Sequence, residues 1–203
     1  TKYGPENTYR MAASRHKGLV RMILKAMVEA LSANKDHSFT KVNMDVIRVV
    51  RDHSVKADAH SGTTVQHLHL VKKNPTRPNL RQVHLIALER IHEWNALGHP
   101  VRAGSLGENI TTSGLDLEHL PAGTKMRFSS GAEMLLTGLR KPCHQVDKFS
   151  AGLLRLAVSD TKDADVPFRI GVMGVVLAAG EILKGEGIQV VLPPESHQFM
   201  EKV

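Results

Sequence analysis

One cysteine occurs in 203 residues, in the run Arg140-Lys141-Pro142-Cys143-His144. A lone thiol can form no internal disulfide. Basic and imidazole neighbours are of the kind that favour a thiolate, which is both a nucleophile and a soft metal ligand. Two readings stand open on these local residues: a reactive or ligating thiol, or a small buried hydrophobe just past a strand formed by EMLLTG. A second group comprises His53, His60, His67 and His69, with Asp52 and Asp58 nearby. On a strand, His67 and His69 would project to one side, and His60 could complete a zinc-like set. Solvated or hydrogen-bonding loop histidines are the alternative, and neither HExxH nor a Cys/His finger spacing occurs. A third stretch, Gly104–Gly114, delivers Glu108 and Asn109 from a glycine-bounded turn, with Thr111 and Thr112 behind. Glycines let backbone amides approach a ligand, and Asn offers a heterocycle both donor and acceptor. An Asn capping its own turn is the plainer reading. No Walker A loop or GxSxG elbow is present.

The elements that must position these groups are mostly short strands. KVNMDVIRVV (Lys41–Val50) alternates as a strand with Val42, Met44 and Val46 on its apolar face. A short strand is expected at Thr64–Val71 within a long loop, and RQVHLIA forms another strand after the turn at Pro75–Asn79. Leu88, Ile91, Trp94 and Leu97 recur at helical spacing, with Gly98 as the stop. Lys125–Gly138 reads as a hairpin turning at Ser129-Ser130-Gly131. DKFSAGLLRLAV reads as one short helix with Asp147 as its N-cap. GVMGVVLAAGEI and GIQVVLP read as two further strands around LKGEG. Frequent glycine turns and few helices predict a mostly β (α+β), barrel-like domain with helices at its margins.

Hydrophobic content of 41% and charged content of 23% fit a packed globular chain. Aromatics at 4% give little material for stacking on single-stranded nucleic acid. The net charge of +7 attracts anions, but no run of five Lys/Arg and no base-reading motif occurs, so no specific nucleic-acid partner is expected. No apolar run approaches the ~20 residues of a membrane span. One cysteine is compatible with a reducing compartment, and a cytoplasmic location is expected. Residues 1–27 carry six Lys/Arg against Glu6 alone, a composition shared by plain basic extensions and mitochondrial transit peptides, which leaves an organellar location open.

Taken in order, DAHSG (Asp58–Gly62), NLRQVHLI (Asn79–Ile86), LGENITTSGLDLEHLPAGT (Leu106–Thr124), LTGLRKPCHQVDKF (Leu136–Phe149) and GVMGVVLAAGEILKGEGIQV (Gly171–Val190) resemble a MOSC domain. This module is found at the C-terminus of molybdenum cofactor sulfurases and in stand-alone bacterial proteins. The resemblance covers residues 28–203 and leaves 1–27 outside as a basic extension. It implies a barrel-like fold and a cysteine, here Cys143, that ligates the molybdenum of a pterin cofactor or carries sulfur as a persulfide. It further implies a pocket lined by Asn109 and its neighbours Glu108 and Thr111, by Arg81, Arg140 and Lys141 toward anionic groups, and by Asp58 and His60. Ala57 stands where the family's turn has glycine. Two functions follow as expectations. One is a molybdenum-dependent reductase of N-hydroxylated or other N–O small molecules. The other is a sulfur carrier or cofactor-delivery module without reductase activity. With one cysteine the chain holds no iron–sulfur ligand set, so either function requires a separate electron donor or sulfur donor protein.

Overall fold

The computed structural model describes residues 26–158, 166–194 and 197–203, apart from the side chain of His69. The expected extension therefore lies outside the described residues except for Ala26 and Met27. Those two open strand β1, Ala26–Ala33. There follow β2 (Val42–Met44), β3 (Val46–Val50), β4 (Ser54–Val55), helix α1 (Leu68–Val71), β5 (Val83–Ala87), α2 (Leu88–Ala96), β6 (Ile110–Ser113) and a 3-10 turn at Leu117–His119. The second half comprises β7 (Lys125–Phe128), β8 (Glu133–Leu139), α3 (Gln145–Phe149), α4 (Leu153–Ala157), β9 (Val172–Ala178), β10 (Gly180–Leu183) and β11 (Gly187–Val191).

Seven of these strands close into a barrel in the order β11-β7-β8-β9-β5-β6-β1, with β1 returning to β11. Strand β1 changes partner along its length. Ala26 faces Ile188 of β11, whereas Leu31 faces Met44 of β2. β10, β3 and β4 form a separate small sheet. All pairings in the barrel are antiparallel except β5 with β6, which α2 crosses over.

Every residue of β5 is buried because its two faces meet two different cores. Val83 and Leu85 point into the barrel with Val28, Leu31, Ile110, Met134 and Val172. Ile86 points outward, beneath Ile91 and Trp94 of α2, Leu106, Val146 and Leu153. Full burial of each such side chain contributes about 1.5–3 kcal/mol. The second core fixes the outer loops and helices onto the barrel wall, which is where the site forms.

Four local expectations are corrected. The strand expected over Lys41–Val50 breaks at Asp45, where the chain leaves β1 for the small sheet. Its apolar phase is reversed: Ile47 and Val49 are buried, while Val42, Met44 and Val46 are exposed. The strand expected at Thr64–Val71 is instead the turn of helix α1, closed by the Leu70 and Val71 amides donating to the His67 carbonyl. The single helix expected after Cys143 is two, broken at Gly152 with φ +85°. Asp147 lies inside α3, and its carboxylate caps α4 by accepting from the Leu154 amide at 2.7 Å. Finally, GVMGVVLAAGEI spans β9 and β10, which belong to different sheets.

Candidate functional site

Strand β8 bends through a register shift between Leu136 and Gly138, and the chain leaves the barrel at Arg140. The Arg140 amide donates to the Gly171 carbonyl at 3.0 Å. Beyond it, Pro142 is buried and Val146 is locked into the outer core. The Cys143 carbonyl accepts from the Val146 amide at 3.0 Å, which opens α3. The thiol between these anchors is half-buried and free, with Sγ 3.5 Å from Gln145 Oε1.

Cys143 stands on the wall of a cleft of about 950 Å³. Seven Lys/Arg side chains line it and no Asp or Glu does. Three of the seven are shielded. The Lys41 side chain is 3% exposed and pairs with Asp58 at 2.7 Å. Arg140 is half-buried and donates from Nη1 to the Leu106 carbonyl at 2.8 Å. Arg81 is half-buried, and its Nε is buried without a hydrogen-bond partner. Burial, reinforced by the charge of Arg140, lowers Arg81 to about 10. Burial likewise lowers Lys41 and Arg140. The remaining four, Lys73, Arg77, Lys141 and Lys202, are exposed.

The floor is set by Asp58 and Asn109. The Asp58 carboxylate accepts from Lys41 Nζ, from Asn109 Nδ2 at 3.0 Å, from the His60 amide at 3.0 Å and from the Asn34 amide at 3.4 Å. The His60 ring adds Nδ1 at 3.2 Å. Burial pushes the Asp58 carboxyl up, but His60 and the Lys41 ammonium outweigh it and hold the group well below the usual carboxylate range. Asn109 is committed on both ends: Nδ2 also donates to the Ser32 carbonyl at 3.1 Å, and Oδ1 accepts the His84 amide at 3.2 Å. His84 is buried beneath the cleft and donates Nε2–H to the Ile170 carbonyl at 2.9 Å. Burial and the neighbouring charge of Arg140 push its pKa well below the ordinary histidine value, which favours the uncharged ring.

The cleft wall therefore gathers Cys143, Arg81, Arg140, Lys141, His60 and Asn109, residues separated by as many as 83 positions in sequence, from 60 to 143. Asp58, Glu108 and Thr111 are not on it. Asp58 acts from behind Lys41 and His60. Glu108 is fully buried and accepts the amides of Gly104 at 2.6 Å and Leu106 at 3.1 Å, so these loop amides face a carboxylate rather than a ligand. Gly104 has φ +84°, and a Cβ there would lie 2.6 Å from the Lys41 carbonyl. The glycine thus lets the Lys41 segment close against the loop. Thr111 is buried in β6, outside the cleft wall. His60 and His67 share the wall with ring centroids 4.5 Å apart, and His37 meets His60 edge-on at 5.3 Å. Because His67 caps α1, the strand geometry for a zinc set is absent. Among the described residues no group of three His, Cys, Asp or Glu could hold a metal ion.

Lys41, His84, Lys73 and Arg77 escaped the sequence reading. The alternation of Lys41–Val50 and of RQVHLIA marked Lys41 and His84 as strand residues, with no signal for the ligand side. No helix among the described residues is long and apolar enough to cross a membrane.

A closed seven-stranded barrel whose β8–α3 loop presents a lone thiol to a cationic cleft defines a cysteine-bearing β-barrel domain. The chain belongs to the MOSC domain family, whose model matches residues 72–189. β1, which completes the barrel, lies before that stretch. The chain is 28% identical over 135 residues to the putative metal-sulfur cluster biosynthesis protein YuaD of Bacillus subtilis (strain 168), a match spanning 62% of this chain and 65% of YuaD. The crystal structure of Bacillus subtilis YuaD superposes with a TM-score of 0.68 at 24% identity, over 83% of this chain and 97% of that one. YiiM from Geobacillus stearothermophilus follows at 0.59 and 16% identity, over 86% and 79%. YiiM from Escherichia coli superposes at 0.55 and 15% identity, over 87% and 73%. These superpositions establish the fold.

Proposed function

We propose that the cleft binds the molybdenum cofactor with the Cys143 thiolate as a ligand to molybdenum, and that the loaded protein reduces N-hydroxylated or other N–O compounds. The observation that carries this reading is a half-buried lone thiol on a cleft wall with seven Lys/Arg and no Asp or Glu. The donor set suits the group. A soft thiolate matches molybdenum, and the orphaned buried Nε of Arg81 calls for an anionic acceptor. Arg81 and Arg140 would hold the cofactor's anionic groups, with Lys141 next but one to the thiol in sequence and His60 also on the cleft wall.

When bound, the cofactor supplies a metal centre that changes oxidation state. The chain's own residues do the positioning. Leu106 fixes Arg140 through its carbonyl, so the guanidinium is pre-aimed rather than ordered on binding. Asp58 anchors Lys41 and His60 from below, and Asn109 ties β1, β5 and β6 together at that level. The electrons come from a separate donor protein. Purifying wild type and Cys143→Ser from a host that makes the cofactor tests the proposal. Near-stoichiometric molybdenum and pterin in wild type, lost in the variant, is the expected result; no molybdenum in either protein overturns it.

A second reading is supported by the metal-sulfur cluster biosynthesis name of YuaD. Here Cys143 attacks the outer sulfur of a donor's cysteine persulfide, forming Cys143–S–SH and releasing the donor thiol. Mass spectrometry after incubation with a cysteine desulfurase and cysteine would show one added sulfur, absent in Cys143→Ser.

A further inference from the structure

The cleft carries more positive charge than one deep anionic group needs. Arg81 and Arg140 occupy its shielded part, and Asp58 compensates Lys41. Lys73, Arg77 and Lys202 line the outer part, are exposed, and form no side-chain ion pair or hydrogen bond with any described residue. Some cations outside the cleft do have carboxylate partners: Arg127 and Lys125 lie 2.6 and 3.5 Å from Glu133, and Arg169 lies 3.5 Å from Glu93. What sets Lys73, Arg77 and Lys202 apart is that they share one concave wall. The outer cations also act against one another's neighbours, since the charge of Arg77 is among those that lower Arg81. Like charges gathered at a concave mouth with no Asp or Glu side chain concentrate anions there and repel cations.

Resting on the cofactor reading above, we propose that the small molecule entering the cleft to react is itself an anion, a carboxylate- or phosphate-bearing compound, selected by Lys73, Arg77 and Lys202. The cofactor's own anionic group is the other source of the same chemistry. The exposure of these three side chains assigns them to the incoming molecule, while the shielded Arg81 and Arg140 serve the resident one.

The test uses the full chain from a cofactor-producing host as wild type, Lys73→Glu/Arg77→Glu, and Arg155→Glu. Arg155 is exposed and lies off the cleft wall. Dissociation constants of benzamidoxime and 4-carboxybenzamidoxime are read by calorimetry at low and physiological salt, with molybdenum counted per chain. Wild type should bind the carboxylate on the order of tenfold tighter than the neutral probe at low salt, with the advantage shrinking as salt rises. The double variant should lose that preference while keeping its molybdenum, and Arg155→Glu should keep both. Equal affinity for the two probes in wild type overturns the proposal. So does loss of molybdenum in the double variant, which would give these cations to the cofactor. A double variant that binds both probes normally but is reduced more slowly by a protein donor would assign the patch to docking instead. Absence of molybdenum from every protein would refute the cofactor reading alone, because the probe preference is read at equilibrium without turnover.

Discussion

Replacing Asp58 by Asn probes the floor of the cleft. Five donors converge on this carboxylate, and the Lys41 side chain that pairs with it is 3% exposed. An amide in the same place offers one oxygen, so either Lys41 or the His60 amide loses its acceptor. Breaking one side of a buried ion pair costs about 3–5 kcal/mol, because the surviving charge stays buried without a counterion. Lys41→Met is milder. Asp58 then retains four N–H donors, and a lost charge-assisted bond costs about 1.5–3 kcal/mol. In the double variant no charge is left stranded, so its cost should fall below the sum of the singles by about 2 kcal/mol or more, within the range measured for directly contacting groups. Urea unfolding of all four proteins at neutral pH, with m held constant, gives the cycle. A cost below about 1 kcal/mol for Asp58→Asn, or additivity within about 0.5 kcal/mol, would refute the buried pair as the organiser of the floor.

Other perturbations test neighbouring parts of the account. Ala57 has φ +64°, where a Cβ costs about 1–2 kcal/mol. Glycine's extra unfolded-state entropy costs about 0.5–1 kcal/mol. Ala57→Gly should therefore raise stability by up to about 1.5 kcal/mol, seen as a higher urea midpoint. Gly171 has φ +83°, and a Cβ there would lie 2.0 Å from the Leu85 carbonyl, whereas Gly98 at φ +89° meets nothing within 4 Å. Gly171→Ala should cost more than about 3 kcal/mol, and Gly98→Ala only about 1–2 kcal/mol, by the same unfolding assay. His84 and His60 have pKa values lowered mainly by burial, so they contribute stability above the unfolded value near 6.5. That stability is lost as pH falls below ~6.5 toward the folded values, with a slope of up to about 1.4 kcal/mol per pH unit for each ring. Unfolding free energies measured between neutral pH and pH ~5 should show the decline, and His84→Gln should lessen it.

The barrel class, the β7–β8 hairpin and helix α2 were legible because each rests on a local signal: alternation, a Gly131 turn, and Ile91/Trp94 spacing closed by Gly98. Cys143 stood out by chemistry, as a thiol among cations with no disulfide partner. What local pattern does not encode is the side of the chain that meets a partner. Val42, Met44 and Val46 alternate as a buried face should, yet the bend at Asp45 turns them outward and buries Ile47 and Val49 instead. Glu108 and Thr111 stand in the family stretch beside Asn109, but the loop folds Glu108 back onto its own amides, and β6 keeps Thr111 off the cleft wall. Lys41 reaches the cleft floor only because Gly104 admits its backbone. That contact joins residues 63 positions apart, from 41 to 104, and no short-range pattern announces it.

X-ray absorption at the molybdenum edge on wild type and Cys143→Ser, loaded in the same host, tests the central claim most directly. The account predicts that wild type holds molybdenum with one more sulfur neighbour than the pterin provides, and that the serine variant lacks that sulfur or lacks the metal. Molybdenum retained by both proteins with identical sulfur counts would contradict it.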